Sequence, residues 1–463
     1  MNAPRYDSIV CVDDLLRDAF WPAKEFIYDL VRLPIFNASG LNIGKGVRRD
    51  QQRHNLLPGF DVERFTQLCG GGDDVASWAR GYNGIPATAA AYLTRHLPPR
   101  ALVLSYEMPP WLRKLLDASG HDWVDLRLSP LRFGSDLYLG LRTNNPQLYA
   151  AAHAHSVSAH EIAADAALLA AKLRYRLRYE PIAGALDEQC IYIGQTEADA
   201  SLLTDDGRFV RAADYADTLR KLAEPGPLQY KPHPMAGEFA KVEQAELERI
   251  TGKKVLLCEA DTYELLARED KIILVGLASG VLQEAAWFGR DAYALFRPIC
   301  EARFDAVPDM RGYLQIAAHQ FMSQPLWSAL LGSAGAQPPL VLPPRPNHLR
   351  ELHNTWWGYS TAMLRHSEFQ REAFASVGGV RQGEALRRCE AELAAMRTEM
   401  AALKEQLASR PLTAAPALRT AASPVADARI DTLRMEVEGL KEALRVVLKQ
   451  NAQRALQGEA LGA

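Results

Sequence analysis

The sequence predicts an α/β protein in which two Rossmann-type domains face a cleft and coiled-coil helices follow them. Three observations carry that expectation. Short apolar runs of β-type composition alternate with segments of helical periodicity, and they do so in two successive series. Such alternation calls for parallel sheets joined by right-handed crossovers. Beyond residue 383, apolar residues recur at three- and four-residue steps, the mark of a coiled-coil seam. A chain of 463 residues holds two such domains and an accessory segment, each domain with its own core.

The first series, residues 1–180, opens with Ser8-Ile9-Val10-Cys11-Val12 and includes Ala101-Leu102-Val103-Leu104-Ser105, with helical periodicity from Ile162 to Leu173. The second, residues 181–380, begins at Cys190-Ile191-Tyr192-Ile193. It continues through Leu228 to Lys231, Val255 to Cys258, Ile272 to Val275 and Ala292 to Phe296. Its order of elements is that of a nucleotide-binding Rossmann-like domain. Leu386, Cys389, Leu393, Met396, Met400, Leu403 and Leu407 then form one apolar seam, so 384–409 reads as a coiled coil. An Ala/Pro linker, 411–428, breaks the helix because Pro416 and Pro424 lack amide donors. A second heptad helix, 429–456, carries Ile430, Leu433, Val437, Leu440, Leu444 and Val447, with Asn451 at the next seam position. The plain alternative is that these helices pack back onto the globular part; self-association is the expected use.

A formal net charge of −3 speaks against general nucleic-acid binding, which needs a basic surface to displace counterions. The six cysteines are scattered and contain no Cys-x-x-Cys pair, as for reduced thiols in a cytosol rather than a disulfide framework or zinc site. No signal-peptide core opens the chain and no stretch reaches the length of a membrane span, so a cytoplasmic location is expected, with any membrane association peripheral.

Four segments offer chemistry. Tyr230-Lys231-Pro232-His233-Pro234 follows a predicted strand, and its prolines stiffen the backbone at the strand's carboxyl end, where open α/β sheets bind ligands. Lys231 as a point charge and His233 as a donor suit a phosphate, although a stiff loop with an incidental histidine accounts for the pattern equally well. Ser279-Gly280 stands at a helix start, offering backbone N–H groups to an anion, and Glu284 one turn on could accept from ribose hydroxyls. Taken by itself, Ser-Gly before a helix is an ordinary cap. Gly194-Gln195-Thr196-Glu197-Ala198-Asp199-Ala200-Ser201 also follows a strand, placing Gln195, Asp199 and Ser201 beside the same cleft. In the first half, Glu107 precedes two prolines, and Arg132 and Asp136 lie in Ser129 to Asp136, where a surface ion pair is the plain reading. His153, His155 and His160 lack the spacing of a zinc helix, so no metal is expected there.

Taken in order, Gly194-Gln195-x-x-x-Asp199-x-Ser201, Tyr230-Lys231-Pro232-His233-Pro234 and Ala278-Ser279-Gly280-x-x-x-Glu284-Ala285 resemble the bacterial capsule and O-antigen Kdo transferases, in particular the retaining β-Kdo transferases. Tyr106 to Pro109 and Ser129-Pro130-x-Arg132-Phe133-x-x-Asp136 extend the likeness over roughly residues 100 to 290. The Lys-Pro-His-Pro element is shared with sialyltransferases that use CMP sugars. Departures are Ala278-Ser279-Gly280 where the family has a Ser/Thr-richer loop, and Ser129-Pro130 where His-Pro is common. The resemblance implies a GT-B fold with an acceptor-side N-terminal domain, CMP-Kdo as donor substrate, and neither cofactor nor obligatory metal. It implies retention by double displacement, with Asp199 as nucleophile, Glu107 as acid/base and His233 on the leaving-group side. Lys231, His233, Ser279, Gly280, Glu284, Gln195, Ser201 and Arg132 would bind the donor. A coiled-coil tail after such a domain resembles chain-terminating O-antigen enzymes, which implies a polysaccharide or lipid-linked glycan acceptor, homo-oligomers and a membrane-bound assembly complex. A CMP-sialic acid transferase, a capsule-linker Kdo transferase, an epimerase or hydrolase, and a coiled-coil scaffold with an inactive domain are the rival readings.

Overall fold

In the computed structural model the described residues are 5–17, 23–43, 57–72, 74–177, 189–258, 260–306 and 312–356. The chain divides into two compact units, 1–374 and 375–463, and all described residues belong to the first. The expected coiled coils at 384–409 and 429–456 and the linker 411–428 lie outside the described residues.

Two sheets organise the first unit. The strands of the first are β1 (Ser8–Cys11), β2 (Ala101–Tyr106), β3 (Asp122–Leu128), β4 (Tyr138–Thr143), β10 (Ala302–Arg303) and β11 (Tyr313–Ala317), in the order β1-β2-β3-β4-β11-β10. β1, β2 and β3 run parallel, while β4 is antiparallel to both β3 and β11. β2 is buried at all six positions, as expected of a strand covered on both faces. On one face Leu102, Leu104, Leu126, Leu139, Leu141, Leu314 and Ile316 share a core with Ile27, Val31 and Trp327 of flanking helices. On the other, Val10, Val103 and Trp123 pack with Phe65, Leu93 and Trp111.

The second sheet holds β5 (Cys190–Ile193), β6 (Gln229–Lys231), β7 (Leu256–Leu257), β8 (Ile273–Gly276) and β9 (Asp291–Ala294), all parallel, in the order β7-β6-β5-β8-β9. The five runs read from the sequence are these five strands. The chain steps outward from β5 through β6 to β7 and then returns to the far side of β5 as β8. The gap between β5 and β8 is therefore the topological switch point, where loops diverge and leave a crevice at the carboxyl ends of the strands.

Elements from either side of residue 180 pack with the other sheet. The helix Ala159–Leu177, expected in the first domain, buries Ile162, Leu169 and Leu173 with Ile191 and Leu274 of the second sheet. β10, β11 and the helix Gln324–Leu331, expected in the second, belong with the first sheet, and Leu326, Trp327 and Leu330 of that helix join the first core. The physical reason is register: Leu314 and Ile316 alternate with Gln315, and that face matches Leu139 and Leu141 on β4 across a long stretch of chain.

Candidate functional site

Three loops leave the carboxyl ends of β5, β6 and β8 side by side, and a fourth arrives from the first sheet. The loop after β5 and the loop after β8 are tied at the switch point by Gln195. Its Oε1 accepts the Ala278 amide at 2.9 Å and its Nε2 donates to Ser201 Oγ at 3.0 Å. Gln195 and Ser201 are both buried, so they act here as a brace. Asp199 caps the short 3-10 turn Ala200–Leu202, its Oδ1 accepting the Ser201 amide at 2.8 Å. Capping fixes the carboxylate with one oxygen already engaged.

The brace has a base that the motifs did not reveal. Glu243, on the helix Phe239–Thr251, accepts from Tyr230 at 2.7 Å and Tyr192 at 3.3 Å, joining β6 to β5 beneath the loops. A methyl group at Gly194 would lie 2.7 Å from both Glu243 Oε2 and the Tyr230 ring, so space sets the glycine at that position. Glutamate on a helix reads as solvated surface, which is why only the structure brings Glu243 out.

His233 is half-buried at the end of β6. Its Nδ1 accepts the Met235 amide at 3.1 Å, and because an amide can only donate, the ring proton belongs on Nε2 when the imidazole is neutral. Burial lowers its pKa to about 4, the charge of Arg132 pushes the same way and that of Asp199 opposes. His233 is thus a neutral N–H donor at physiological pH, rather than a cation. Charges from both sheets thus act on the His233 ring, that of Asp199 after β5 and that of Arg132 from the loop after β3.

Lys231 turns aside. Its ammonium donates to the Ala260 carbonyl and its charge is felt by Asp261, the cap of the helix Thr262–Ala267. Ser279 occupies the cap position of the helix Gly280–Ala285 without a side-chain capping bond. A methyl group at Gly280 would meet Pro130 at 3.3 Å, so the space expected for a phosphate is where the Ser129-Pro130 loop approaches.

Glu284, expected to accept from ribose hydroxyls, is engaged within the protein. It is buried, and its Oε1 accepts both the Arg132 amide at 2.6 Å and the Tyr263 hydroxyl at 2.9 Å. Burial raises its pKa to about 7 despite those donors. Glu284 is therefore a clamp holding the first-sheet loop to the second-sheet helix. Asp136 accepts the Leu349 and Arg350 amides at 2.9 Å each, starting the helix His348–Trp356, and its charge acts on Arg350.

Glu107 stands at the end of β2 with φ of +57°, a left-handed conformation that a residue with a side chain adopts at a cost. Its amide donates to Leu126 O at 2.7 Å and its carboxylate meets Arg17 at 3.4 Å. The charges acting on His233 are those of Asp199 and Arg132, whereas Glu107 acts on Arg127 and Cys300 of the first sheet's own polar face. The charge of Arg132 acts on Cys300 as well as on His233. No group of metal-binding side chains occurs among the described residues, and His153 instead approaches the Phe304 carbonyl at 3.3 Å.

Fold and site together define an α/β protein whose polar strand-end loops meet at a topological switch point, with a loop from a second sheet tied to them through Glu284. No family model and no curated protein matches this chain. Among solved structures, the β-Kdo 2,7 transferase KpsC of Thermosulfurimonas dismutans is similar at 16% identity and a TM-score of 0.29, covering 59% of this chain and 90% of that one. The A chain of dipicolinate synthase from Bacillus subtilis is similar at 11% identity and a TM-score of 0.18, covering 71% and 96%. No helix among the described residues is long and apolar enough to cross a membrane.

Proposed function

We propose that this chain is a glycosyltransferase of GT-B type that moves Kdo from CMP-Kdo to a bacterial surface glycan with retention, as the cap of an O antigen. The observation that supports it is that Asp199 and His233, each held by a backbone amide, lie after strands flanking the switch point, where the charge of Arg132, on a first-sheet loop tied by its own amide to Glu284, also acts on His233. Asp199, with Oδ1 engaged by the Ser201 amide, offers its other oxygen to the anomeric carbon. The C–O bond to the phosphate breaks, and CMP leaves with the bonding pair, stabilised by the Nε2–H of His233 and by the Ser279 hydroxyl. An acceptor hydroxyl then attacks the glycosyl-Asp199 ester from the face CMP left; Glu107 takes its proton and Asp199 is regenerated. Lys231 joins the phosphate by leaving the Ala260 carbonyl. No metal or cofactor enters this scheme. The coiled-coil segments would assemble the chain and hold it at a membrane-bound synthesis complex in the cytoplasm.

Incubation with CMP-Kdo and, separately, CMP-sialic acid tests the reading through release of CMP and growth of a glycan acceptor. Release with Kdo and a Kdo-sized mass increment on the Asp199 peptide are expected. Turnover confined to CMP-sialic acid, or Asp199→Ala protein transferring within tenfold of the parent, would sink it; the expected loss is at least about 10³-fold.

A further inference from the structure

The first sheet carries a second charged assembly that the scheme above leaves unused. Cross-strand register places Ser105 opposite Asp125 and Asp125 opposite Arg142, with Arg127 opposite Gly140 and Gly140 opposite Gln315 in the next row of the same face. Asp125 is fully buried; its Oδ1 accepts the Met108 amide at 2.9 Å and its Oδ2 the Tyr313 hydroxyl at 2.6 Å. Arg127 donates to Tyr313 at 2.9 Å and to Met108 O at 3.2 Å, so it is locked in place. Arg113, from the first turns of the helix Pro110–Ser119, approaches the same Asp125 Oδ2 only to 3.6 Å and has one marginal hydrogen bond, 3.4 Å to Tyr313.

This arrangement is poor as a structural tie. Two guanidinium groups share one carboxylate oxygen that already has a short partner, and a third, Arg142, lies 5.9 Å from the Tyr313 ring. Arg113 also sits near the positive end of its helix dipole, the unfavourable end for a cation. On the same face Ser105 Oγ and Gln315 Oε1 are fully buried without a hydrogen-bond partner, which is unusual enough to require a reason. The helix that carries Arg113 reaches the loop after β5: the Trp111 amide donates to Tyr82 O at 3.3 Å and Lys114 to Asn83 O at 2.7 Å, while Asn83 donates to Thr204 O at 2.8 Å and Tyr82 packs with Leu203.

We infer that Arg113, positioned by Arg127 and Tyr313, binds the carboxylate of an acidic sugar in the cleft, making it the group that selects acid-bearing substrates. Its planar fork suits a carboxylate bidentately. The substrate's phosphate has its own partners on the second sheet, so the two anionic ends are divided between the two sheets. The assignment rests on the acidic-sugar reading of the site.

Calorimetry with three probes, CMP, free Kdo and the methyl ester of Kdo, separates the two anions. The parent protein should bind the acid at least tenfold more tightly than the ester. Arg113→Gln should lose that preference, its affinity for the acid falling about ten- to a hundredfold while CMP binding is unchanged, and Arg113→Lys should fall between. Unchanged CMP binding also shows that the variant is folded. Equal binding of acid and ester by the parent, undetectable binding of the acid at millimolar concentration, or a variant that keeps the preference overturns the assignment. A variant that loses CMP and acid together overturns it as well. A parent protein that distinguishes acid from ester through Arg113 but ignores CMP would instead remove the nucleotide-sugar reading.

Discussion

The carboxyl edge of the second sheet and the polar face of the first sheet are built in opposite ways. In the second sheet each functional segment is a contiguous run after its own strand: Gly194 to Ser201 after β5, Lys231 to Pro234 after β6, Leu277 to Gly280 after β8. Parallel pairing alone brings them together. In the first sheet Ser105, Asp125, Arg142 and Tyr313 come from β2, β3, β4 and β11, and become neighbours only through register across one parallel and two antiparallel pairs. One site is written locally and assembled by topology; the other exists only as a result of pairing. Side chains in the first kind can change with modest effect on the sheet, whereas those in the second are also part of its core.

The largest expected effect belongs to the locally written site. His233→Ala should lower turnover of a CMP sugar by about 10²-fold, since it removes one preorganised donor to the departing phosphate, and should leave the melting temperature nearly unchanged. A sharper form concerns pH. Because burial holds the imidazole's pKa at about 4, His233 is neutral throughout the range above pH 5. The pH profile of kcat/KM should therefore show no break near 6.5 that disappears in the variant; such a break would mean that the ring titrates as an ordinary exposed histidine.

Next in size is the clamp that joins the two regions. Glu284, with its pKa raised from 4.5 to about 7 by burial, favours the folded state most when protonated. That contribution is complete below about pH 4.5 and is lost as pH rises through about 7, amounting to at most about 3 kcal/mol. Glu284→Gln keeps a neutral acceptor for the Arg132 amide. The stability of parent minus variant, from urea unfolding, should fall steadily between pH 5 and pH 8. A difference independent of pH would show that the carboxyl is ionised in the folded protein and that the clamp is an ordinary charged one.

The same contrast explains what was legible in the sequence. The five strands of the second sheet and the proximity of the Asp199 and His233 loops follow from apolar runs and parallel order, both local signals. The roles of Glu284 and Gln195 did not follow, because whether a side chain in a loop faces a ligand or braces its neighbour depends on distances between segments: 152 residues separate Arg132 from Glu284. β11 was invisible as a member of the first sheet because its run, Tyr-Leu-Gln-Ile-Ala, has no local mark of its partner β4. Arg113, Arg127 and Asp125 read as ordinary charged residues, since burial of a charge cannot be seen without the strands that cover it.

The smallest expected effect bears on Glu107, which stands on the first-sheet side at the end of β2. A left-handed φ of +57° costs a residue with a Cβ about 1 kcal/mol, and glycine adopts it freely. The contact with Arg17 at 3.4 Å is between side chains each roughly 30% exposed, so removing it costs little. Glycine's greater freedom in the unfolded chain offsets part of the gain. Glu107→Gly should therefore be as stable as the parent or more stable, by up to about 0.5 kcal/mol, while losing the proposed proton acceptor and with it transfer to the acceptor sugar. Denaturant midpoints and acceptor-product formation would be read on the same preparation. Glu107→Ala separates the two contributions, because it removes the carboxylate but keeps the strain: it should be inactive like the glycine variant and less stable than it. A glycine variant that is clearly less stable than alanine would mean that the conformation is not strained, and that Glu107 is held there by packing rather than presented at a cost for its chemistry.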